Sequence, residues 1–518
     1  MLGQPTKGNR IKAYQKLVRF KWLAALGSGL LLSFAFAPYP TRFLAFIALV
    51  PLFWLIEEER RVFLYGYLFG IGMAAGQMWW LVSQTYPLSP LIRFLLWIGV
   101  ILLIGFLALF PALFASLTKR IGLWSAPLIW PAVEMLRELT DLAFPWELLG
   151  YSLTPWPIFT QTASIWGVYG LGALIVLVNL AIYELLRGWK QRALRLRWGA
   201  ILGGTLLFMV GFGAIRLITA KRTSPIKVAL IQPNVPTVLK GSRNLYDSLI
   251  TAMLDQTRQA ALTDPDLILY PETSTLVDLT RPGDYSSLYL DLVDSLDITL
   301  ATGIPHRVRD EGRSRFANAA TLVHPDGSLD KVYIKIRLAS FGETIPFEHI
   351  FPLLRKIDVQ GGHHYRGKEY VVFHRAPEPL SFLICYESIF PLLTRNFVHK
   401  GARLLCNVTN DVWFGQLQGP AQHAEMAVLR AVENGVPLIR AANNGISMII
   451  DPYGRVLAQS PLLVKTIVTG EVAKASGRTI YTSFGFLFPY LAAGFVAAML
   501  VVRLIQRGKR RKRSSKKK

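Results

Sequence analysis

The sequence predicts a multi-span α-helical membrane domain joined to a separate α/β domain. Three observations predict it. Hydrophobic residues make up 52% of the 518 and the mean hydropathy is +0.35, too apolar for an ordinary soluble chain of this length. Much of that apolar content is gathered into runs of roughly 17 to 25 residues, the length that crosses a bilayer. Between residues 221 and 480 the runs give way to short β-rich stretches alternating with helical periodicity, the pattern of a layered α/β or α+β sandwich.

Taken in order, spans are expected over 22–38, 42–57, 62–83, 91–118, 122–137, 157–186 and 199–219, with an eighth over 483–506. A cleaved signal peptide is the alternative for the first, but no small-residue cleavage site is evident and further spans follow at once. Residues 1–220 are therefore expected to hold seven transmembrane helices, 221–480 a domain outside the cytoplasm, and 481–518 a last transmembrane helix with a basic cytoplasmic tail. The orientation comes from Lys and Arg, which are retained on the cytoplasmic side. They cluster in the N-terminal tail (Lys7 to Lys21), at Arg60-Arg61, at Lys119-Arg120, from Arg187 to Arg197 and from Arg503 to Lys518. With eight spans all five clusters fall on one side, which places both termini in the cytoplasm and residues 221–480 in a periplasm or its equivalent.

The formal net charge of +24 does not indicate nucleic acid. Residues 221–480 hold 28 Lys and Arg against 25 Asp and Glu, so the excess belongs to the membrane part, where a run such as Lys509-Arg510-Arg511-Lys512-Arg513 suits an anionic leaflet better than a nucleic-acid arm. Two cysteines, Cys385 and Cys406, could form a disulfide in an oxidising compartment. Each closes or nearly closes a separate β-like run, which argues against a bridge.

Within the α/β part, strands are expected over Val228–Gln232, Leu267–Tyr270, Ile298–Thr302, Ala319–Val323, Leu380–Cys385, Leu404–Val408, Leu438–Ala442 and Ser447–Ile450. Helices are expected over Leu245–Ala261 and Ala421–Glu433, the second capped by Gly435. Pro325-Asp326-Gly327 and Pro452-Tyr453-Gly454 mark turns. Glu272 and Cys385 both lie just past the ends of predicted strands, at the carboxyl edge where functional groups of α/β sheets collect.

Those positions carry the parts of a covalent acyl-transfer site: a carboxylate in Tyr270-Pro271-Glu272, an amine in Tyr333-Ile334-Lys335, and a thiol in Leu383-Ile384-Cys385-Tyr386-Glu387. A thiol with a free pKa of about 8.5 is mostly protonated at neutral pH, so a working nucleophile requires a base or a nearby cation. Glu272 is expected to take the thiol proton. Lys335 and the backbone N–H of Tyr386 would hold the oxyanion that develops on an attacked carbonyl.

The ordered trio Glu272, Lys335 and Cys385, with the second carboxylate in Phe341-Gly342-Glu343, resembles the nitrilase superfamily of carbon-nitrogen hydrolases. Membrane spans on both sides narrow the resemblance to the apolipoprotein N-acyltransferases. Further carriers are Phe144-Pro145-Trp146 with Gly150-Tyr151, Ile231-Gln232-Pro233-Asn234, Asn410-Asp411-Val412-Trp413-Phe414-Gly415 and Asn443-Asn444-Gly445. The resemblance implies a four-layer αββα sandwich and a bacterial inner-membrane location. It also implies a ping-pong reaction that moves an acyl chain from a phospholipid, through a Cys385 thioester, to the α-amine of a diacylglyceryl-cysteine at an apolipoprotein N-terminus. It further implies that Glu343 supports the triad while Tyr386, Glu387 and Trp413 border the site. Two departures stand out: Arg337, Leu338, Ala339 and Ser340 replace a His-Leu-Val-Pro stretch, and Gly241 stands where an aromatic is expected.

Both proposed substrates are anchored in a bilayer, so loop aromatics such as Phe341, Trp413 and Phe414 suit a lipid-facing rim or, equally, core packing. Trp79-Trp80 and Trp146 suit interfacial anchors. Carboxylates such as Glu134 and Glu184, in or near spans, are costly unless paired or near an end. A metal site is not expected: all eight histidines lie in the α/β part, but adjacent His363-His364 on a strand point to opposite faces and no H-E-x-x-H or C-x-x-C spacing occurs. No nucleotide cofactor is expected and a monomer suffices. The alternatives are a membrane-tethered amidase that passes its acyl group to water, and a transporter or receptor whose outer domain binds without catalysis.

Overall fold

The structure, a computed structural model, describes residues 7–83, 90–220, 224–236, 245–310, 312–348, 350–351, 353 and 363–515. The position of Gly241 lies outside these residues.

The N-terminal part contains α1 (Lys7–Ser33), α2 (Val50–Glu58), α3 (Val62–Met78), α4 (Pro90–Ile121), α5 (Ala126–Met135), α6 (Ala163–Arg187) and α7 (Arg192–Ile218). Four helices among the described residues, Pro90–Ile121, Ala163–Arg187, Arg192–Ile218 and Gly485–Gly508, are long and apolar enough to cross a membrane. The runs at 42–57 and 122–137 form broken helices. Each begins with a 3-10 turn, and α2 and α5 have only nine and ten residues, about 15 Å at 1.5 Å per residue, half the hydrocarbon thickness. Proline at the first turn of α2 and again inside α5 removes the N–H that a continuing helix would use. Glycines bring α3 close to its neighbours: a Cβ on Gly72 would lie 2.2 Å from the Leu26 carbonyl oxygen, and one on Gly70 would lie 2.6 Å from Ala108 Cα. Small residues at such contacts let membrane helices approach.

The α/β part is built from β1 (Pro225–Gln232), α8 (Tyr246–Ala261), β2 (Leu267–Leu269), α9 (Asp284–Leu296), β3 (Leu300–Asp310), β4 (Arg313–Val323), β5 (Tyr333–Ile334), β6 (Leu380–Ile384), α10 (Pro391–His399), β7 (Leu404–Thr409), α11 (Gln418–Asn434), β8 (Leu438–Ala442), β9 (Met448–Ile450), β10 (Val456–Gln459) and β11 (Thr466–Ala473); α12 (Phe488–Ser515) follows. One sheet has the order β11-β1-β2-β3-β4-β5 and the other β10-β9-β8-β7-β6. The strand period of two sorts the core. Val228, Leu230, Leu267 and Leu269 join the core that includes Phe382 and Ile384, whereas Ala229, Ile231 and Ile268 pack with Ile250, Met253 and Val293 of α8 and α9. With α10 and α11 on the second sheet, the layers run αββα, the order that the resemblance implies.

All eight expected strands form, and β3 and β4 extend as a hairpin well beyond their expected ends. Among the described residues three further strands, β5, β10 and β11, lie at sheet edges; β11 pairs with β1 over its whole length. Helix α11 ends at Gly435, with φ 65°, as expected from the left-handed cap.

Helix α11 also joins the two parts. Arg42 pairs with Glu425 at 2.6 Å, Gln418 donates to the Tyr39 hydroxyl at 2.8 Å, and the Glu433 carboxylate accepts the Val168 N–H at 2.8 Å. That N–H lies where α6 breaks at Gly167, whose φ is 68°. Trp80 and Trp146 correct an expectation. Both are 1% exposed and donate their indole N–H groups to Gln422 Oε1 at 3.0 and 2.8 Å; they seal the interdomain seam and do not face lipid headgroups. Trp79 is exposed.

Candidate active site

The carboxylate, amine and thiol singled out in the sequence come from three places in the α/β part. Glu272 follows β2, and Gly303 of β3 permits its approach, since a Cβ there would lie 2.8 Å from Glu272 Cα. Lys335 follows β5, its backbone N–H bonded to the Asn318 carbonyl at 2.9 Å. Cys385 follows β6 at a sharp turn, with φ 50°, a left-handed value that a non-glycine residue adopts only where its surroundings hold it.

All of these groups are nearly dry: Lys335 is 1% exposed, Asn318 3%, Glu272 7%, and Glu343 and Cys385 8%. Lys335 Nζ lies 2.8 Å from Glu343 Oε1 and 3.5 Å from Glu272 Oε1. Asn318 Nδ2 donates to Glu272 at 2.5 Å and to Glu343 at 3.0 Å. The other Glu343 oxygen accepts the Ala339 N–H at 2.8 Å. Burial works against the charge on Lys335, but Glu343 and Glu272 outweigh it and hold the ammonium above its ordinary range. Burial likewise opposes the Glu343 carboxylate, and Lys335 followed by His364 outweighs it, so that carboxyl sits well below the usual range. Burial, then the Glu272 charge, pushes the Cys385 thiol up against the pull of Lys335.

Glu387 is fully buried and works as a hub. It accepts the Tyr333 hydroxyl at 2.7 and 2.8 Å, the Ile336 and Arg337 N–H groups at 2.7 and 3.0 Å, and the Ile384 N–H at 2.8 Å. One carboxylate thus ties the segment that carries Lys335 to the turn that carries Cys385. The Tyr386 hydroxyl donates to the Ala143 carbonyl at 2.8 Å, and Ser340, one of the departures, donates to the Asp141 carbonyl at 2.9 Å. Phe341 is 65% exposed and Trp413 37%, whereas Phe414 packs on Trp80, Trp146 and His423.

Sequence reasoning missed Asn318, Ser388 and His423. A signal for Asn318 exists, a lone amide in the apolar run Ala317-Asn318-Ala319-Ala320. His423 has none in its neighbours. It is fully buried in α11, with Nδ1 2.8 Å from Asp411 Oδ1 and Nε2 3.2 Å from the Cys385 carbonyl oxygen. Donor atoms of Cys385, Asp411 and His423 lie within 4.8 Å of one another, a spacing that could suit a metal. The chemistry of the set argues otherwise. Arg440 pairs with Asp411 at 2.7 Å and stands 3.1 Å from His423 Nδ1, so a guanidinium already supplies the positive charge. Both cysteines are free thiols.

Residues 28–181 match the family model for the apolipoprotein N-acyltransferase N-terminal domain, and residues 227–481 match that for carbon-nitrogen hydrolases. The chain is 33% identical over 511 residues to an apolipoprotein N-acyltransferase of Geobacter metallireducens, with 95% of this chain and 98% of that relative covered. It is 31% identical to relatives of the same name from Brucella melitensis, with 84% and 86% covered, and Methylococcus capsulatus, with 89% and 92% covered. Among solved structures, Nit3 of Saccharomyces cerevisiae, a member of branch 10 of the nitrilase superfamily, is 20% identical, covers 49% of this chain and 92% of its own, and has a TM-score of 0.38.

Proposed function

This chain belongs to the apolipoprotein N-acyltransferase family, and on that premise we propose that it moves a fatty acyl chain from a membrane phospholipid, through a thioester on Cys385, to the α-amine of the N-terminal diacylglyceryl-cysteine of apolipoproteins. What supports the residue assignment is the buried ion cluster of Lys335, Glu343 and Glu272, whose charges reach the Cys385 thiol, with the ammonium nearer to Glu343 than to Glu272. Glu343 thereby neutralises Lys335 and leaves Glu272 to act as a base.

The thiol is protonated at rest, because burial and Glu272 raise it. Glu272 takes its proton as sulfur attacks the ester carbonyl, and Lys335 with the Tyr386 N–H holds the oxyanion. The carbon–oxygen bond of the ester breaks, the proton on Glu272 goes to the departing alkoxide, and a lysophospholipid leaves. The acceptor amine then attacks the thioester and gives its proton to Glu272. The carbon–sulfur bond breaks and Cys385 recovers its proton. An amidase reading would send water through the same second step; membership of the family favours the amine.

Glu387 and Tyr386 frame this site, and Phe341 and Trp413 offer apolar surface at its mouth. The distribution of Lys and Arg supports eight spans, with both termini cytoplasmic and residues 221–480 facing the periplasm from the inner membrane. Residues 1–220 and 481–518 are then the anchors on either side of the catalytic domain, and one chain contains the whole site. Incubating the enzyme with a phospholipid labelled in its acyl chain and a synthetic diacylated lipopeptide tests the proposal. Label must reach the peptide amine with wild-type enzyme and not with Cys385→Ala; label released only as free fatty acid contradicts it.

A further inference from the structure

The carbonyl of Cys385 and the N–H of Tyr386 belong to one trans peptide, so they point in opposite directions across one rigid plane. Whatever grips that carbonyl also sets the direction of that N–H. Two side chains grip it from the same side. His423 Nε2 stands 3.2 Å from the Cys385 oxygen, and the Ser388 hydroxyl donates to that oxygen at 3.0 Å and lies 3.2 Å from His423 Nε2.

The imidazole itself has little freedom. Its Nδ1 lies 2.8 Å from Asp411 Oδ1 and 3.1 Å from the Arg440 guanidinium, which donates to Asp411 at 2.7 Å, and the Thr409 hydroxyl donates to Asp411 at 3.0 Å. Trp146 stacks on one side of the ring, with centroids 5.6 Å apart and planes 26° from parallel, and Phe414 meets it edge-on at 5.1 Å. Trp146 belongs to the membrane part, and the neighbouring Gln422 accepts its indole N–H together with that of Trp80.

We propose that His423, held beside Asp411 and Arg440 with its N–H on Nε2, is a positioning residue that turns the Tyr386 N–H toward the developing oxyanion by gripping the Cys385 carbonyl. The inference rests on the acyl-transfer reading above. It separates two properties of the same cysteine: acyl transfer requires the oxyanion donor, whereas displacement of iodide from iodoacetamide by the thiolate develops no oxyanion. It also makes the membrane part contribute to the geometry of the site, since Trp146 locks the ring that fixes the peptide.

The test uses the full chain in detergent micelles and measures two rates at Cys385: acyl-enzyme formation from phosphatidylethanolamine, followed by mass, and alkylation by iodoacetamide. His423→Ala is expected to slow acylation about 100-fold, the scale of losing one oxyanion donor, with alkylation within about two-fold of wild type and the KM for phospholipid unchanged. His423→Gln, whose amide N–H can reach the same carbonyl, is expected to recover acylation to within about ten-fold of wild type. Ser388→Ala, which keeps the imidazole, is expected to lose roughly ten-fold in acylation alone and serves if the alanine variant at 423 does not fold. Acylation of His423→Ala at the wild-type rate overturns the inference, as does a loss of alkylation in step with acylation, or a glutamine variant no better than alanine. A wild-type enzyme that takes no acyl group at all fails the acyl-transfer reading instead.

Discussion

Lys335 and Glu343 meet at 2.8 Å, both nearly shut off from solvent. A buried lysine without a counter-ion would give up its proton or draw in another carboxylate. Here that other carboxylate is Glu272, already 3.5 Å away, and drawing it closer to Lys335 would spoil it as a base. Glu343→Gln is therefore expected to slow acyl-enzyme formation by roughly 10²- to 10³-fold, within the range of a lost general base, while leaving the phospholipid KM within a few-fold. Single-turnover kinetics with phospholipid alone measures this. A variant that acylates normally would remove Glu343 from the account.

Asp411 supplies a pH-dependent prediction. Burial works to raise its carboxyl, but Arg440 and then His423 outweigh burial and hold it well below the ordinary range. Because the folded carboxyl titrates lower than the unfolded one, near 3.9, its stabilisation is full above about pH 4 and fades as acid approaches the lower folded value. Asp411→Asn leaves Arg440 buried without its counter-ion, and at pH 7 it should cost about 3–5 kcal/mol. The gap between wild type and variant, read from denaturant midpoints of the full chain, should shrink as pH falls below 4. A gap that widens in acid would contradict the assignment.

Gln422 is the acceptor for two buried indoles, Trp80 and Trp146. Gln422→Leu keeps the volume and removes the acceptor, leaving two N–H groups unpaired at about 1–3 kcal/mol each. Thermal unfolding in detergent should show a clear loss of stability, and a variant as stable as wild type would mean that the seam does not depend on these bonds.

The sequence makes Glu272, Lys335 and Cys385 readable because each follows a short apolar run at the carboxyl edge of a sheet, where the polar residue after the run is conspicuous. His423 acquires its meaning only from contacts with residues distant in sequence: it touches a carbonyl 38 positions earlier. Local pattern holds no record of such contacts. The same limit explains Trp80 and Trp146, whose composition fits a membrane interface as well as a protein seam; only the fold places Gln422 between them. In the membrane part, hydropathy marks where apolar residues lie but not where a helix stops. The prolines that break 42–57 and 122–137 are visible in the sequence, yet a span tolerates proline when neighbouring groups satisfy the freed carbonyl, as α4 does with Pro111 in its interior. The missed strands β5, β10 and β11 lie at or next to sheet edges, and the solvent-facing positions of β10 and β11 blur the period-two signal.

In the ping-pong reaction the acyl group rests on Cys385 between donor and acceptor. Intact-protein mass spectrometry tests it most directly, on wild type and Cys385→Ala incubated with phospholipid and no acceptor. A fatty-acyl mass increment is expected on the wild type alone, discharged when a diacylated lipopeptide is added. An increment of equal size on Cys385→Ala, or none on either protein, would contradict it.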